Sequence, residues 1–241
     1  MTSISHVPAA NQLLAALPDL ERNAFMAECE TVELAFGEVL LHPAEMITHV
    51  YFPVDSFISL IVVIEGDNRL EVAMAGREGM LGTSLILDIE EEPLLALVQG
   101  KGSALRISAT SFQRLLLESP VLHQRLKRYL YVVMNQMAKT AACNHFHRIE
   151  ARLARWLLMT QDRARTDHLQ LTHEFLAMML GVRRAGITMA AIALQTRGLI
   201  RYHRGEIKVL NRSGLIEASC ACYTEDRALY AKMLTPPPAK T

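Results

Sequence analysis

Two short helical patterns separated by Gly181 form the feature that most constrains this chain. The segment from Leu171 to Gln195 begins with Thr172, a residue suited to a helix N-cap, and continues with an apolar stripe. Gly181 can adopt the left-handed conformation that ends a helix sharply. The pattern that follows it again places apolar residues on one face. The segment therefore predicts two helices that are joined by a tight turn and cross steeply.

The offsets around Gly181 are typical of a helix-turn-helix that reads DNA. Ala177 lies four residues before the glycine and is small enough for the two helices to approach closely. Ile187 lies six residues after the glycine and can fill the angle between the helices. An ordinary helical hairpin in an all-α core is the alternative that this spacing leaves open.

Residues 199–210 predict a β-hairpin directly after the second helix. Apolar residues alternate on both sides of a turn at Gly205. Beside a helix-turn-helix such a hairpin is a wing, and Arg201, Arg204 and Lys208 are placed to contact phosphates. A charged hairpin that meets only solvent is the alternative.

Arg184, with Arg183 beside it, is the residue that we expect to read a base. N-terminal residues of a recognition helix reach base edges, and arginine can bond guanine O6 and N7 together. Thr188 is expected to contact a thymine methyl group or a phosphate, and for each arginine a phosphate contact is the alternative. The predicted DNA-contacting residues are Thr172, His173, Arg183, Arg184, Thr188, Met189, Arg201 and Arg204.

The net charge of zero hides an asymmetry along the chain. Residues 1–120 contain 6 Lys/Arg and 17 Asp/Glu, whereas residues 121–214 contain 16 Lys/Arg and 5 Asp/Glu. This division suits a protein of which only one part approaches a polyanion. The composition is that of a soluble globular protein, and no run approaches the roughly 18 apolar residues of a membrane span. Without a secretory signal in Met1–Asn11, we expect a cytoplasmic chain with no membrane partner.

The N-terminal half predicts mainly short strands. Helical spacing occurs between Asn11 and Glu30, and β-branched and aromatic runs alternate with turn signals from Thr31 to Ser108. This pattern indicates an antiparallel sandwich or barrel, so the predicted fold class is α+β. Pro236 to Pro238 predict a frayed tail.

Pro120 begins a long predicted helix with apolar residues at alternating steps of four and three. This spacing is typical of a coiled-coil seam and predicts a dimer interface. A helix that packs on the core of its own chain is the alternative. The predicted interface residues are Leu122, Leu126, Tyr129, Val133 and Met137. We therefore divide the chain into a β-rich domain at residues 1–118, a dimerisation helix at 119–143 and a DNA-binding domain at 144–241.

In this order of parts, and most clearly over Leu171 to Leu210, the chain resembles the Crp/Fnr family of transcriptional regulators. The resemblance covers roughly residues 10–215 and includes LGVRRAGITMAAIALQTRGLI. It implies a jelly-roll-like antiparallel β-roll of the cyclic-nucleotide-binding type as a sensor domain. It also implies dimerisation through the long helix and a C-terminal winged helix-turn-helix that binds inverted-repeat operators.

Two departures from the family bear on cofactors. Cyclic-AMP-binding members hold the phosphate with an Arg-Ser pair, but no arginine lies between Arg77 and Arg106 here, and residues 90–92 are three glutamates. Oxygen-sensing members carry an N-terminal cysteine cluster, but Cys29 is the only cysteine in that half. We therefore expect neither cyclic AMP nor an iron–sulfur cluster.

The remaining cysteines predict no metal site. Cys143, His145 and His147 lie two residues apart and point in different directions on a helix, so they cannot converge unless the helix breaks. Cys220 and Cys222 add two further thiols. We expect all four cysteines to be free thiols and the chain to bind no metal or other cofactor.

These observations predict a homodimeric, sequence-specific transcriptional regulator with an unknown effector or none, and not an enzyme. The expected partners are double-stranded DNA, a second copy of the chain and, as an open alternative, RNA polymerase. Two other functions remain open. One is a small-molecule-binding module or enzyme that uses the β-roll, and the other is a protein that binds DNA without sequence preference.

Overall fold

A computed structural model describes residues 11–65 and 68–234 of this chain. A β-roll, a long helix and a helical domain with a small sheet follow one another, which confirms the predicted α+β fold class. The tail predicted from Pro236 to Pro238 and nearly all of Met1–Asn11 lie outside the described residues. The three predicted domains and the two boundaries between them stay predictions.

The β-roll begins with two short helices and continues as antiparallel strands. β1, β9 and β4 form one sheet, β2, β8, β5 and β6 form a second, and β3 pairs with β7. The elements are α1 Gln12–Ala15, α2 Asp19–Ala27, β1 Glu30–Leu34, β2 Val39–Leu41, β3 Glu45–Met46, β4 His49–Pro53, β5 Phe57–Ile64, β6 Asn68–Ala75, a 3₁₀ helix Thr83–Leu87, β7 Glu91–Glu92, β8 Leu95–Gly100 and β9 Gly102–Ser108.

Aromatic side chains from α2, β4 and residue 112 meet in the centre of the roll. The rings of Phe25 and Phe52 meet edge to face at 5.2 Å between centroids, and Phe112 packs beside both. Edge-to-face contacts of this kind add to the stabilisation from buried area. The roll therefore has a filled core.

Two helices lead out of the roll, and serine caps both. The hydroxyl of Ser108 accepts a hydrogen bond from the Ser111 amide at the start of α3, Ala109–Glu118. Ser119 caps α4, Pro120–Phe146, where Pro120 occupies the first turn that tolerates its missing N–H. α4 is 27 residues long.

The residues predicted to form the dimer seam lie in the core of their own chain. Leu122, Leu126, Tyr129 and Val133 are buried within the β-roll core, and Met137 packs against it. Burial against a sheet selects the same helical spacing as burial against a second helix. Within this chain the five residues thus pack as the alternative describes, on their own domain, and the dimer interface stays a prediction.

The C-terminal part combines five helices with a three-stranded sheet of order β10-β12-β11. Its elements are α5 Ile149–Ala164, β10 His168–Gln170, α6 His173–Leu180, α7 Arg184–Thr196, β11 Ile200–His203, β12 Glu206–Val209, α8 Arg212–Ala218 and α9 Cys222–Leu234. Its core joins α5, α6, α7 and the sheet.

The buried carboxylate of Glu71 on β6 joins the roll to this part. It accepts hydrogen bonds from the indole Nε1 of Trp156 at 2.8 Å, from the Ser59 hydroxyl at 2.5 Å and from Gln99 Nε2 at 3.1 Å. Burial raises the pKa of Glu71 to about 7, and the hydrogen bonds lower it by less. Trp156 lies on α5, so a titratable group sits at the contact between the two parts.

A second contact surrounds the loop after β6. Arg163 of α5 is buried and lies 2.7 Å from the carboxylate of Glu78. The hydroxyl of Tyr129 donates to the Met80 carbonyl at 3.4 Å, and its ring lies directly against Gly79. A Cβ atom at Gly79 would lie 2.7 Å from the Tyr129 Cζ atom. Only glycine leaves room for this tyrosine.

The last helix returns to α4. The Asp226 carboxylate of α9 accepts a hydrogen bond from Arg155 of α5 at 2.8 Å. The neighbouring Glu225 carboxylate lies 2.9 Å from the Lys139 ammonium group of α4. Arg125 of α4 donates to the carbonyls of Leu13 and Leu234, both at 2.8 Å. α9 is therefore fixed to the long helix along most of its length.

No single helix in residues 11–65 and 68–234 combines the length and hydropathy of a membrane span. The pair α6 and α7 meets that test only when taken together, and the two helices are bent by 108° at their junction.

Candidate nucleic-acid interface

The helix-turn-helix forms where its local signals predict it. Thr172 caps α6 by accepting a hydrogen bond from the Phe175 amide at 3.1 Å. Gly181 ends the helix in the left-handed conformation, with φ of +60°. A Cβ atom there would lie 2.9 Å from Leu70 Cδ1, so the turn also lies close against the roll.

The two helices cross steeply around small and branched side chains. Their axes differ by 108°, Ile187 is fully buried in the angle between them, and Ala177 is buried on the first helix. This is the packing that the offsets from Gly181 predict. The steep crossing leaves the N-terminal turn of α7 at the surface.

The outer face of α7 is exposed and begins with two arginines. Arg183 occupies the N-cap position, and Arg184 is the first residue of the helix. The side chain of Arg184 is 70% exposed and lies 3.8 Å from the Glu174 carboxylate, a long and solvated ion pair. Met189 is exposed one turn later. These side chains are available to a partner.

Two predicted contact residues are held by the protein itself. The Nδ1 atom of His173 lies 3.0 Å from the Thr188 hydroxyl, and that hydroxyl donates to the Arg184 carbonyl at 3.1 Å. The His173 ring stacks on Tyr202 at 4.0 Å. Burial, followed by the charge of Arg184, lowers the pKa of His173. A neutral His173 therefore connects α6, α7 and the wing.

The wing is the antiparallel pair of β11 and β12. Its turn places Arg204 and Gly205 in the left-handed region, with φ of +48° and +82°. Arg201 and Arg204 are exposed, and Arg201 pairs across the strands with the half-buried Lys208. Three positive charges thus lie on one small hairpin.

Two residues of this surface were not predicted from the sequence. Ile192 is 52% exposed and follows Met189 by three residues, so it extends the outer face of α7. The carbonyl oxygen of the Gln195 side chain accepts from the Tyr202 amide at 2.7 Å and fixes the wing to the end of α7. Helical spacing from Met189 could have identified Ile192, whereas Gln195 offers no local signal.

A cluster of four metal-ligating side chains lies apart from this interface. α4 ends at Phe146, so His147 leaves the helical geometry and turns toward Cys143, while the junction of α8 and α9 brings Cys220 and Cys222 to the same place. One ligand atom of each lies within 4.8 Å of all the others. This arrangement contradicts the prediction that the chain has no cofactor site, because the helix break and the distant cysteines complete a ligand set.

The helix-turn-helix region matches a known family. Residues 151–218 match the Crp-like helix-turn-helix domain. No curated protein sequence matches the chain at a significant level.

Solved structures with the same fold align over almost their entire length. FixK2 from Bradyrhizobium japonicum is 14% identical, with a TM-score of 0.65 over 80% of this chain and 98% of its own. A CRP-family transcriptional regulator from Thermus thermophilus is 14% identical, with a TM-score of 0.65 over 78% and 96%. The c-di-GMP-responsive global regulator CLP from Xanthomonas campestris is 16% identical, with a TM-score of 0.62 over 80% and 99%. At these identities the likeness shows the fold.

The predicted helix-turn-helix of Crp type is therefore confirmed over residues 151–218. These residues are a Crp-like helix-turn-helix domain, and most of the chain shares the fold of these solved regulators.

Proposed function

We propose that this chain is a Crp/Fnr-type transcriptional regulator that binds a specific inverted-repeat operator as a homodimer. The observation that carries the proposal is the exposed N-terminal turn of α7, where Arg183 and Arg184 project beside a basic wing. A recognition helix in the major groove reaches base edges with these positions, while wing arginines meet the backbone. We assign Arg184 to a guanine, and Arg201 and Arg204 to phosphates.

The rest of the recognition face is apolar. Ala185, Met189 and Ile192 are exposed along the same side of α7. Apolar side chains in the major groove recognise the thymine methyl group. An operator half-site with a guanine flanked by thymines suits this surface. We assign His173 no base contact, because its ring is held between α7 and the wing by Thr188 and Tyr202.

The exposed side of α4 supplies a surface for a second copy of the chain. Tyr131 and Met134 are 49% and 60% exposed, and Ala138 and Ala142 continue this side toward the helix end. Positions 131, 138 and 142 follow steps of seven and four, which suit a seam between two helices. We place the dimer contact here, opposite the buried residues of the seam predicted from the sequence. The proposal assigns no effector and keeps RNA polymerase as a partner to be tested.

Replacing Arg184 by alanine is expected to weaken binding to the selected operator by about 10- to 100-fold and to relax the preference at one base pair, because a bidentate contact contributes about 1–3 kcal/mol. Operator selection from a genomic fragment pool, followed by gel-shift titration of the selected site, measures both effects. Arg227→Ala, at an exposed arginine of α9, is the matched control.

Equal affinity of the Arg184→Ala variant and the wild-type protein for the selected site would refute the assignment of Arg184. A wild-type protein that selects no site, and whose affinity falls steeply with salt, would instead be a non-specific DNA-binding protein.

Replacing Met134 by glutamate is expected to turn the dimer into a monomer, because the dimer would bury a carboxylate from each copy at the same contact without a partner of opposite charge. We expect the dimer dissociation constant to rise by at least about 100-fold, a loss of about 2.7 kcal/mol. Sedimentation equilibrium gives the mass of each variant. Leu117→Glu, at an 85% exposed residue of α3, is the control and should remain dimeric. A monomeric wild-type protein would overturn the proposed dimer.

A further inference from the structure

The cluster of Cys143, His147, Cys220 and Cys222 joins two distant stretches of the chain. Cys143 lies in the last turn of α4, and His147 is the residue at which that helix ends. Cys220 and Cys222 lie where α8 gives way to α9. The backbone of His147, with φ of −105° and ψ of 144°, has left the helix, which is what allows its ring to meet the thiols.

The distances within the cluster fit one tetrahedral ion. The sulfurs of Cys143 and Cys220 are 3.5 Å apart, and the Cys222 sulfur lies 3.7 Å from His147 Nδ1. With zinc–sulfur bonds of about 2.3 Å, two ligand sulfurs of a tetrahedral site lie roughly 3.8 Å apart. An iron–sulfur cluster separates its thiolates further, because its own iron and sulfide atoms lie between them. The cluster is therefore too tight for such a cofactor.

Two buried arginines supply the charge that a thiolate site needs. Arg152 and Arg155 line the same small cavity as Cys143. Arg155 also pairs with Asp226 at 2.8 Å. Within residues 11–65 and 68–234, no carboxylate lies within ion-pair distance of Arg152, which donates to the Leu180 carbonyl. A buried cation without a carboxylate is stabilised by nearby thiolates.

We propose that these four side chains bind one Zn²⁺ ion as a structural Cys₃His site. Three thiols lose their protons to solvent, neutral His147 binds through Nδ1, and the resulting net charge of −1 lies beside Arg152 and Arg155. The closed set of four protein ligands leaves no position for a substrate, as in zinc sites that stabilise a fold. One bound ion thus links the end of α4, where the chain turns into α5, to the start of α9.

Metal analysis of the full-length chain tests this inference independently of DNA binding. The protein is purified without a polyhistidine tag, under reducing conditions, from cells grown with zinc, and its metals are measured by inductively coupled plasma mass spectrometry. We expect close to one zinc per chain. Cys143→Ser should reduce the zinc content at least tenfold, whereas Cys29→Ser, a cysteine of the roll, should leave it unchanged.

Cobalt provides a second measurement that does not depend on folding of a variant. Chelator-treated wild-type protein that receives Co²⁺ should develop the intense visible bands of a tetrahedral ion and the near-ultraviolet bands of thiolate ligands. Zinc should displace them.

Three results would overturn the proposal. One is zinc-free wild-type protein that gives no cobalt spectrum, and another is iron with acid-labile sulfide in place of zinc. The third is a Cys143–Cys220 disulfide, found by mass spectrometry after alkylation of protein that was prepared in reductant.

Discussion

Replacing Glu71 by glutamine is expected to raise the free energy of unfolding at pH 8 by about 3 kcal/mol relative to the wild-type protein, and to change it little at pH 4.5. Glu71 is fully buried between the roll and α5, and its pKa of about 7 in the folded chain exceeds the usual value of 4.5. The folded state therefore holds this proton over a pH range in which the unfolded state has lost it. Chemical denaturation at several pH values measures the difference.

The sign follows from proton linkage. Where the folded state binds more protons than the unfolded state, stability falls as pH rises. The stabilisation of the folded state that depends on the Glu71 proton is thus fully present below about pH 4.5. It is lost as the pH rises through about 7 and stays lost above that pH. Glutamine cannot ionise, and its amide can still accept from Trp156 and donate to Gln99 Oε1, which has no hydrogen-bond partner among the described residues.

Glu90→Gln provides the control, because it replaces a carboxylate of the same roll that is exposed to solvent. This variant should follow the wild-type protein at every pH. If the difference between Glu71→Gln and the wild-type protein is the same at pH 5 and pH 8, the buried carboxylate is not the group that links proton uptake to folding.

Replacing Gly79 by alanine is expected to lower the free energy of unfolding by about 3 kcal/mol, the upper part of the range for overpacked cores. The added methyl group overlaps the ring of Tyr129, which is 1% exposed and cannot move aside without displacing the β-roll core. Urea denaturation measures the loss.

The loss should depend on the tyrosine. In a double-mutant cycle, Gly79→Ala combined with Tyr129→Leu should lose at least about 1 kcal/mol less than the sum of the single losses. Gly186→Ala is the control, because its methyl group meets only the flexible end of Ile149, at 2.8 Å, within a helix that favours alanine. Additive losses in the cycle would show that the strain at Gly79 has another source.

Local signals predicted the helix-turn-helix well because its geometry is set within a few residues. Thr172 caps α6, Gly181 ends it and Ile187 fills the crossing, each at its expected position. The heptad spacing on α4 was less informative. Periodicity shows which side of a helix is buried, but not whether a sheet or a second chain covers it, and Leu126 proved to face the roll.

Contacts between residues that are far apart along the chain could not be predicted from the sequence. Cys143 and Cys220 are 77 residues apart, and the spacing around each alone argued against a ligand set. The burial of Glu71 was equally hidden, because an isolated glutamate in a strand usually faces solvent. The raised pKa of Glu71 and the short distance between the Cys143 and Cys220 sulfurs arise only in the folded chain.

Arg125 holds the carbonyls of Gln12, Leu13 and Leu234 with one guanidinium group. The C-terminal part is thus held at both of its own ends, at the hinge after α4 and again through α9, in addition to the contacts of Trp156 with Glu71 and of Arg163 with Glu78. A reorientation of this part relative to the roll therefore requires the contacts of α9 with α4 to break together with these internal ones.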